Sequence, residues 1–542
     1  MLMASNKMII YQIFTRLYSN GCQARKPFGT IEENGCGKFN DFTPSVLKQF
    51  REMGISHVWY TGVIRHATMT DYSQYGIPRQ HPAVIKGKAG SPYAITDYYD
   101  VDPDLAVNVE KRMEESEKLV SRTHRAGLKV IIDFVPNHVA RQYKSICKPA
   151  GVRDLGENDN HDIGFDPQHN NFYYCPGQQF TPYFDLYHGE TEPYTEVPAK
   201  ATGNDCFNNA PGFNDWYETV KLNYGVDYYA GGIGYFDPIP DTWSKMLHIL
   251  LYWAEKGVDA FRCDMAEMVP AEFWMWATAR VRERYPAIRF IGEVYNPNEY
   301  RHYIASGFDY LYDKVGMYDT LRDVICHRRG SEAITWAWQQ TDDIKEHMLY
   351  FLENHDEQRI ASDYFAGSGE KAIPALVVST LLQKNPFMLY AGQEWGERGM
   401  DEEGFSGCDG RTSIFDYWSF EKHFSSLTFI YNKVLEIART EKAVSEGMTF
   451  DVMYANHPYH RQYAFLRKAG KDILLVAVNF DDEPLTMNLV IPDHAFNYLE
   501  MQERVYQVTD LMTGHQSSLV LMRDQFVSVS LEMRGAVVLK MK

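Results

Sequence analysis

Residues 258–264, VDAFRCD, are a short apolar run that ends in an arginine and an aspartate. Two later runs, RFIGE at 289–293 and HMLYFLENHD at 347–356, also end in a carboxylate. Short apolar runs of this kind predict buried strands, and a carboxylate there is costly unless it is used or paired. We therefore expect three carboxylates to meet at one rim of a sheet: Asp264, Glu293 and Asp356.

The rest of the first 440 residues repeats this pattern, with amphipathic helices between the strands. Strands are predicted at 8–14, 55–62, 129–138, 258–264, 289–293, 308–314, 347–356 and 386–394. Strands that alternate with helices pair in parallel and carry their helices outside. One βα unit takes roughly 30 residues, so one unit separates Asp264 from Glu293 and two units separate Glu293 from Asp356. The pattern predicts an α/β fold, a (β/α)8 TIM barrel.

Two stretches of the chain do not follow the alternation of strands and helices. Residues 139–238, after the third strand, are rich in Asn, Asp, Gly, Pro and Tyr and show little periodicity. They predict an irregular insertion domain, with the barrel formed by 1–138 and 239–444. Residues 445–542 contain six short alternating runs with turns between them, which predict a C-terminal antiparallel β-sandwich.

Composition narrows the possible partners. The chain has 542 residues, a net charge of −18 and 14% aromatic residues. An acidic surface disfavours nucleic acid, and the chain has no apolar run of about 18 residues that would suggest a membrane span. The first 20 residues lack a secretion signal, so we expect a cytoplasmic protein; secretion stays open if the N-terminus has been trimmed.

The carboxylates carry a recognisable chemistry. Arg262 lies two residues before Asp264 and so points to the same face of the strand. An acid, a base and a nucleophile on one rim are what glycosidic bond cleavage requires. Structural alternatives are a buried ion pair for Arg262 and Asp264, an exposed strand end for Glu293, and a helix N-cap for Asp356.

The chain resembles the alpha-amylase family of glycoside hydrolases. Four motifs carry the resemblance, in the family's order: DFVPNH at 133–138, VDAFRCD at 258–264, IGEV at 291–294 and LENHD at 352–356. GQE at 392–394 and SPYAITDYYDVDP at 91–103 add to it. The likeness covers nearly the whole chain, including the insertion and the terminal β-sandwich.

The resemblance implies roles for these residues. Asp264 would be the nucleophile, kept ionised and oriented by Arg262, and Glu293 the general acid/base. Asp356 would grip sugar hydroxyls and favour the distorted ring of the transition state. His138 and His355 would hydrogen-bond the sugar at the cleaved unit, and Tyr93 would stack on its ring. Asp133 would support the same rim, and Cys263 should face the helix layer.

Many members of the family bind a structural calcium ion, and Asn137 matches one of its ligands. The lysine-histidine pair expected after the nucleophile is absent here, and Lys221 in TVKLN replaces an acidic residue. A lysine repels a cation, so we expect no required cofactor and no calcium at this position. The acidic stretch at 154–162 could take a hard cation, although a solvated loop is the simpler reading.

The function expected from these residues is the retaining hydrolysis of α-glucosidic bonds, mainly α-1,4, in malto-oligosaccharides or starch-like glucans. TVKLN and DMAEMVP (264–270) also resemble the neopullulanase-like and intermediate subgroups. An α-glucan or oligosaccharide transferase is the alternative, since a sugar hydroxyl can replace water in the second step. A non-catalytic carbohydrate-binding protein is a third reading, which the intact carboxylates oppose.

Overall fold

The computed structural model describes residues 7–184 and 192–542. Residues 1–6, at the start of the predicted barrel domain, and 185–191, in the predicted insertion, lie outside the described residues. No helix in the described part of the chain is long and apolar enough to cross a membrane.

Eight parallel strands close into a barrel, as the sequence predicts. They are β1 (Ile9–Phe14), β2 (His57–Thr61), β3 (Lys129–Phe134), β4 (Ala260–Cys263), β5 (Arg289–Gly292), β6 (Tyr310–Tyr312), β7 (Met348–Phe351) and β8 (Phe387–Tyr390). Each strand pairs with the next, and β8 pairs with β1. All eight carboxyl ends therefore meet at one rim, where active sites of this fold lie.

Helices cover the outside of the barrel. The main ones are Pro44–Glu52, Arg112–Arg125, Asp241–Glu255, Ala271–Arg284, Tyr300–Ala305, Asp319–Ile325, Glu332–Gln339, Ile373–Leu381 and Ser426–Thr440. Thr43 caps the first of them. The N-cap of the helix Asp241–Glu255 is Pro240. Asp241 is the first helical residue, and its carboxylate lies 2.7 Å from the ammonium of Lys245, one turn later.

Side-chain alternation along the strands builds two apolar layers. Ile10, Trp59, Ile131, Ala260 and Ile291 fill the barrel interior. Their neighbours along each strand pack outward against the helices, and Cys263 is among them, as expected.

The insertion between β3 and the next barrel helix is irregular, with short antiparallel pairs. These are His138–Ala140 with Thr219–Lys221, Tyr174–Cys175 with Ala199–Lys200, and Val226–Asp227 with Ile233–Gly234. The first pair sets His138 opposite Lys221. The insertion is thereby fastened to the rim directly after β3.

The C-terminal region is an antiparallel β-sandwich of eight strands. They are β9 (Met448–Asp451), β10 (Gln462–Ala469), β11 (Asp472–Asn479), β12 (Leu485–Val490), β13 (Arg504–Asp510), β14 (Gln516–Leu521), β15 (Phe526–Leu531) and β16 (Ala536–Met541). Six form one sheet in the order β9-β10-β11-β16-β13-β14, and β12 pairs with β15. The sequence indicated six of these strands. It missed β9 and β14, which are the edge strands and bury little apolar surface.

A buried arginine joins the sandwich to the barrel layer. Arg467 on β10 is fully buried and donates hydrogen bonds to the carbonyl oxygens of Leu382 (2.7 Å), Ala443 (2.9 Å), Val444 (2.6 Å) and Gly447 (3.0 Å). Leu382 follows the barrel helix Ile373–Leu381. One guanidinium thus ties the end of that helix to the first strands of the sandwich.

Replacing Arg467 with methionine should leave these buried carbonyl groups without donors. We expect Arg467→Met to lower the free energy of unfolding by about 3 kcal/mol, measured by urea denaturation. Arg504→Met is the matched control, because Arg504 is exposed in the same region. Equal effects of the two substitutions would contradict the role given to Arg467.

Candidate active site

The strand register brings an arginine into the middle of the rim. Arg262 on β4 pairs with Asp133 on β3 and with Ile291 on β5. It follows the interior-facing Ala260 by two residues, so its side chain also points inward. Asp264 lies two residues further on, and Glu293 follows the last residue of β5.

The guanidinium of Arg262 contacts both of the carboxylates next to it. One terminal nitrogen donates to Asp264 Oδ1 at 2.7 Å, and the other lies 2.8 Å from Glu293 Oε2. Asp133 is 3.8 Å away. A single buried cation therefore holds the two principal carboxylates at the two ends of its fork, and this fixes their separation and orientation.

The pKa of Asp264 differs from what the sequence led us to expect. Arg262 was expected to keep Asp264 ionised, and it does favour the charged form. Burial, assisted by the negative charge of Glu293, nevertheless raises the pKa of Asp264 above its ordinary value. The reason is that one arginine serves more than one carboxylate in a site largely removed from water.

A cavity of about 440 Å³ opens directly above these groups. Asp264, Glu293, Asp356, Tyr93 and His138 all line it. The remaining lining residues are Lys86, Ser91, Trp216, Glu218, Thr219, Met265, Tyr295, Glu357, Ile414 and Phe415. The three carboxylates therefore share one crevice, and its walls combine polar groups with aromatic rings, as small-molecule sites commonly do.

Asp356 lines this crevice, with Oδ2 3.1 Å from Nε2 of His355, and caps no helix. No helix begins after it, and the Asn354 side chain accepts hydrogen bonds from the backbone N–H groups of Asp356 and Glu357 at 2.9 Å. Burial and the charge of Glu293 raise the pKa of Asp356. Its side chain is about a third exposed, which leaves it accessible from the cavity.

Of the two histidines, His138 lines the cavity with Tyr93, and His355 contacts the Tyr93 ring. His355 is buried behind it; one ring nitrogen contacts the Tyr93 hydroxyl and the other lies 2.7 Å from Gln12 Nε2. Burial and the charge of Arg262 lower the pKa of His355, and burial lowers that of His138 to about 3. Both rings are therefore neutral at pH 7 and can exchange hydrogen bonds with hydroxyl groups.

Asp133 and Asn137 lie behind the cavity wall. Asp133 accepts a 3.1 Å hydrogen bond from the backbone of Gly62, and burial raises its pKa to about 6. Asn137 Oδ1 accepts a 2.6 Å hydrogen bond from the ammonium of Lys221. Neither residue lines the cavity, so both lie in positions that support its wall.

The Lys221 ammonium occupies the centre of a set of oxygen atoms. It lies 2.6 Å from Asn137 Oδ1, 2.7 Å from Asp205 Oδ1 and 3.4 Å from the carbonyl oxygen of Met268. These oxygens come from the barrel, the insertion and the segment after β4. The residues do not fit Ca²⁺ at this position, because the lysine already supplies the positive charge and fills the space between the ligands.

Two other acidic groups are satisfied by protein partners. Asp97, Asp100 and Cys147 lie close enough to share an ion, but Arg65 and Arg112 neutralise the two aspartates. In the stretch 154–162, Asp154 and Asp159 accept backbone N–H groups of the insertion. Both acidic groups therefore have structural roles.

The family model for the alpha-amylase catalytic domain matches residues 25–433. The chain belongs to the alpha-amylase family. This confirms the family and the amylase-type enzyme that the four motifs indicate. The matched residues include seven of the eight barrel strands and every residue that lines the cavity.

Relatives in this alpha-amylase family match over most of the chain at low identity. Alpha-amylase 3 of Dictyoglomus thermophilum is 26% identical, covering 75% of this chain and 76% of its own. Alpha-amylase MalA of Haloarcula japonica is 25% identical over 89% of this chain, which spans 56% of that longer protein. A cyclomaltodextrin glucanotransferase of a Bacillus species is 22% identical, and the match covers 92% of this chain and 64% of that protein.

Solved structures share the fold over the whole length. The maltogenic alpha-amylase AmyB of Thermotoga neapolitana superposes with a TM-score of 0.65 at 19% identity, covering 98% of both chains. The alpha-amylase of Geobacillus thermoleovorans, solved with acarbose, superposes with a TM-score of 0.67 at 17% identity. The match covers 99% of this chain and 98% of that structure.

Several cavity residues of this alpha-amylase family member were not found from the sequence. Tyr295 donates a 2.5 Å hydrogen bond to Glu293 Oε1, and the backbone N–H of Met265 donates to Glu293 Oε2 at 2.7 Å. Tyr295 stands two residues after Glu293, a spacing that could have suggested it. Lys86, Trp216 and Glu218 come from irregular segments without a motif, and only the folded chain brings them to the cavity.

Proposed function

We propose that this protein hydrolyses α-glucosidic bonds, mainly α-1,4, in malto-oligosaccharides or starch-like glucans with retention of configuration. The observation that carries the proposal is the pair Asp264 and Glu293, set at the two ends of one guanidinium and facing one crevice. This arrangement favours the short carboxyl separation of retaining enzymes, about 5–5.5 Å, over the about 6.5–9.5 Å of inverting ones.

The first step would form a covalent glycosyl–enzyme. Asp264 attacks the anomeric carbon while protonated Glu293 gives its proton to the leaving glycosidic oxygen. The bond from carbon to that oxygen breaks as the bond to Asp264 Oδ forms. Arg262 binds the carboxylate on the side away from the cavity, so the attacking oxygen stays directed at the sugar.

The second step would release the sugar. Glu293, now ionised, takes a proton from water, and the water oxygen displaces Asp264 from the anomeric carbon. Asp356 would grip sugar hydroxyls, while Tyr93 stacks on the ring and the neutral His138 and His355 act as hydrogen-bond partners. The hydroxyl of Tyr295 and the N–H of Met265 orient Glu293 in both steps.

A glucan transferase is the second candidate. It uses the same residues, with a sugar hydroxyl in place of water, and the match to a cyclomaltodextrin glucanotransferase over most of the chain favours it. Products longer than the substrate, formed at high maltotriose concentration, would identify it.

Asp264→Asn tests the nucleophile. The amide cannot form the covalent intermediate, so kcat on maltotriose should fall at least about 10³-fold while substrate still binds. Asp259→Asn is the matched control at the opposite end of the same run, where Asp259 bonds to Val130 and His124. A near-normal rate for Asp264→Asn, with Asp259→Asn also active, would refute the assignment.

The pH profile of kcat/KM follows from the Asp264 carboxyl. The nucleophile must be ionised, and burial raises its pKa, so the acid limb should lie at higher pH than the ordinary aspartate value of about 3.9. The profile is measured on maltotriose, with circular dichroism at each pH to show that the protein stays folded. Full activity maintained down to pH about 4 would contradict the prediction.

We also propose that activity needs no calcium at Asn137. Treatment with EDTA followed by dialysis should leave kcat and Tm unchanged, because Lys221 supplies the charge there. Lys221→Met should lower Tm, since it leaves Asn137 and Asp205 without their shared partner. Loss of activity in EDTA that added Ca²⁺ restores would overturn this proposal.

A further inference from the structure

An aromatic contact between two distant parts of the chain lies beside the cavity. Phe213 belongs to the insertion (139–238), and Phe405 belongs to the β8 segment, defined as residues 391–425 between β8 and its helix. Their rings stack with centroids 6.2 Å apart. Phe405 also meets Phe415 edge to face at 5.3 Å, and Phe415 lines the cavity. These three phenylalanines form a bridge that joins the insertion to the β8 segment next to the crevice.

Backbone contacts fix the side of the cavity that Ile414 and Phe415 line, called the wall below. The β2 segment, residues 62–111, packs on the β8 segment through a 3.0 Å hydrogen bond from Ala89 N–H to the carbonyl of Phe415. Gly87 has φ +66°, and a β-carbon there would overlap the same carbonyl group. The buried guanidinium of Arg16 donates to the carbonyl groups of Ala89, Gly90 and Ile414. The backbone of the wall at Ile414 and Phe415 is therefore held by buried contacts.

The order of the strands shows which side of the cavity the wall occupies. The wall is built from segments that follow β8, β2 and β3, and β1 lies between β8 and β2 in the ring. The other side of the cavity is formed by residues after β4, β5 and β7, among them Met265, Tyr295 and Glu357. The phenylalanine bridge thus belongs to one half of the rim, and the described cavity residues of the other half form no such aromatic bridge.

The wall lies on the side of the sugar that is attacked. Tyr93, proposed to stack on that sugar, belongs to the β2 segment, and His138 directly precedes the insertion. Glu293, which must meet the leaving oxygen, is held from the opposite side by Met265 and Tyr295. The leaving part of the substrate therefore extends towards the unbridged half, and the non-reducing end of the chain points into the wall.

Two buried charged groups face the cavity at this wall. Lys86 and Glu218 are 8% and 4% exposed, and their charged atoms lie 3.1 Å apart. The Lys86 ammonium donates to the carbonyl of Asp215 at 3.1 Å and lies over the rings of Tyr217 and Phe415. Glu218 Oε2 receives no well-directed hydrogen bond from any described residue. Ammonium and carboxylate together can donate to and accept from adjacent hydroxyl groups.

We propose that this end of the cavity binds the non-reducing terminal sugar, with Lys86 and Glu218 on its hydroxyl groups, so that the enzyme cleaves glucans from that end. The inference rests on the proposed function and narrows it to chain ends of malto-oligosaccharides. A chain that continued past this sugar would collide with the phenylalanine bridge. It would also leave the Lys86–Glu218 pair buried without the hydroxyl partners that terminal glucose offers.

The test compares two forms of p-nitrophenyl maltoheptaoside, one free and one carrying an ethylidene group on the 4- and 6-hydroxyls of its non-reducing glucose. Products are resolved by chromatography. We expect the free form to be cleaved at least about tenfold faster. Equal rates would overturn the chain-end proposal and leave the hydrolase standing, whereas no cleavage of either form would overturn the proposed function itself.

A pair of variants tests the bridge. Phe405→Ser removes the ring that joins Phe213 to Phe415, so the blocked substrate should gain at least several-fold relative to the free one. Phe424→Ser is the matched control, since Phe424 is 78% exposed in the same segment and lies against Trp395. An unchanged preference in active Phe405→Ser would overturn the role of the bridge. If that variant fails to fold, the wild-type comparison still decides between chain-end and internal cleavage.

Discussion

The site depends on one buried cation held between like charges. Asp264 and Glu293 would repel each other in a cavity of low dielectric if Arg262 did not lie between them. The same guanidinium lies about 5.3 to 5.6 Å from the ring centres of Trp59, Tyr93 and Tyr312. These rings exclude water and prevent the arginine from moving. Arg262 thus sets how the two principal carboxylates face the cavity, together with the hydrogen bonds that Tyr295 and Met265 donate to Glu293.

Buried cations recur wherever irregular segments meet the barrel. Lys221 joins the insertion to Asn137 and to the segment after β4. Arg16 joins the β2 and β8 segments through three carbonyl groups and also contacts the ring of His66. Arg467 joins the barrel layer to the sandwich through carbonyl groups. A cation that binds several carbonyl or carboxylate oxygens can satisfy loop backbone that has no sheet or helix partner, and in this protein such cations give the rim its rigidity.

This rigidity would serve the proposed hydrolysis with retention, because that reaction needs a sugar held still while two groups exchange roles. A wall fixed by backbone contacts orients a ligand without first having to be ordered itself, which lowers the entropic cost of binding. In the proposed mechanism, the half of the rim without the phenylalanine bridge would leave room for the departing chain. The asymmetry between the two halves would then complement the asymmetry of the cleaved bond, with one sugar attacked and the other released.

The sequence by itself determined the barrel, its strand positions and the carboxylates, since strand periodicity and βα spacing are local properties that the buried runs repeat eight times. It also identified Arg262, because side chains two residues apart on a strand share a face. Only the tertiary structure decided that Arg262 also reaches Glu293, that burial outweighs its effect on Asp264, and that Lys86, Glu218, Phe213 and Phe405 converge on the cavity. The Lys86–Glu218 and Phe213–Phe405 contacts join segments without periodicity that are separated by more than 100 residues, so they depend on how whole loops pack and not on any local pattern.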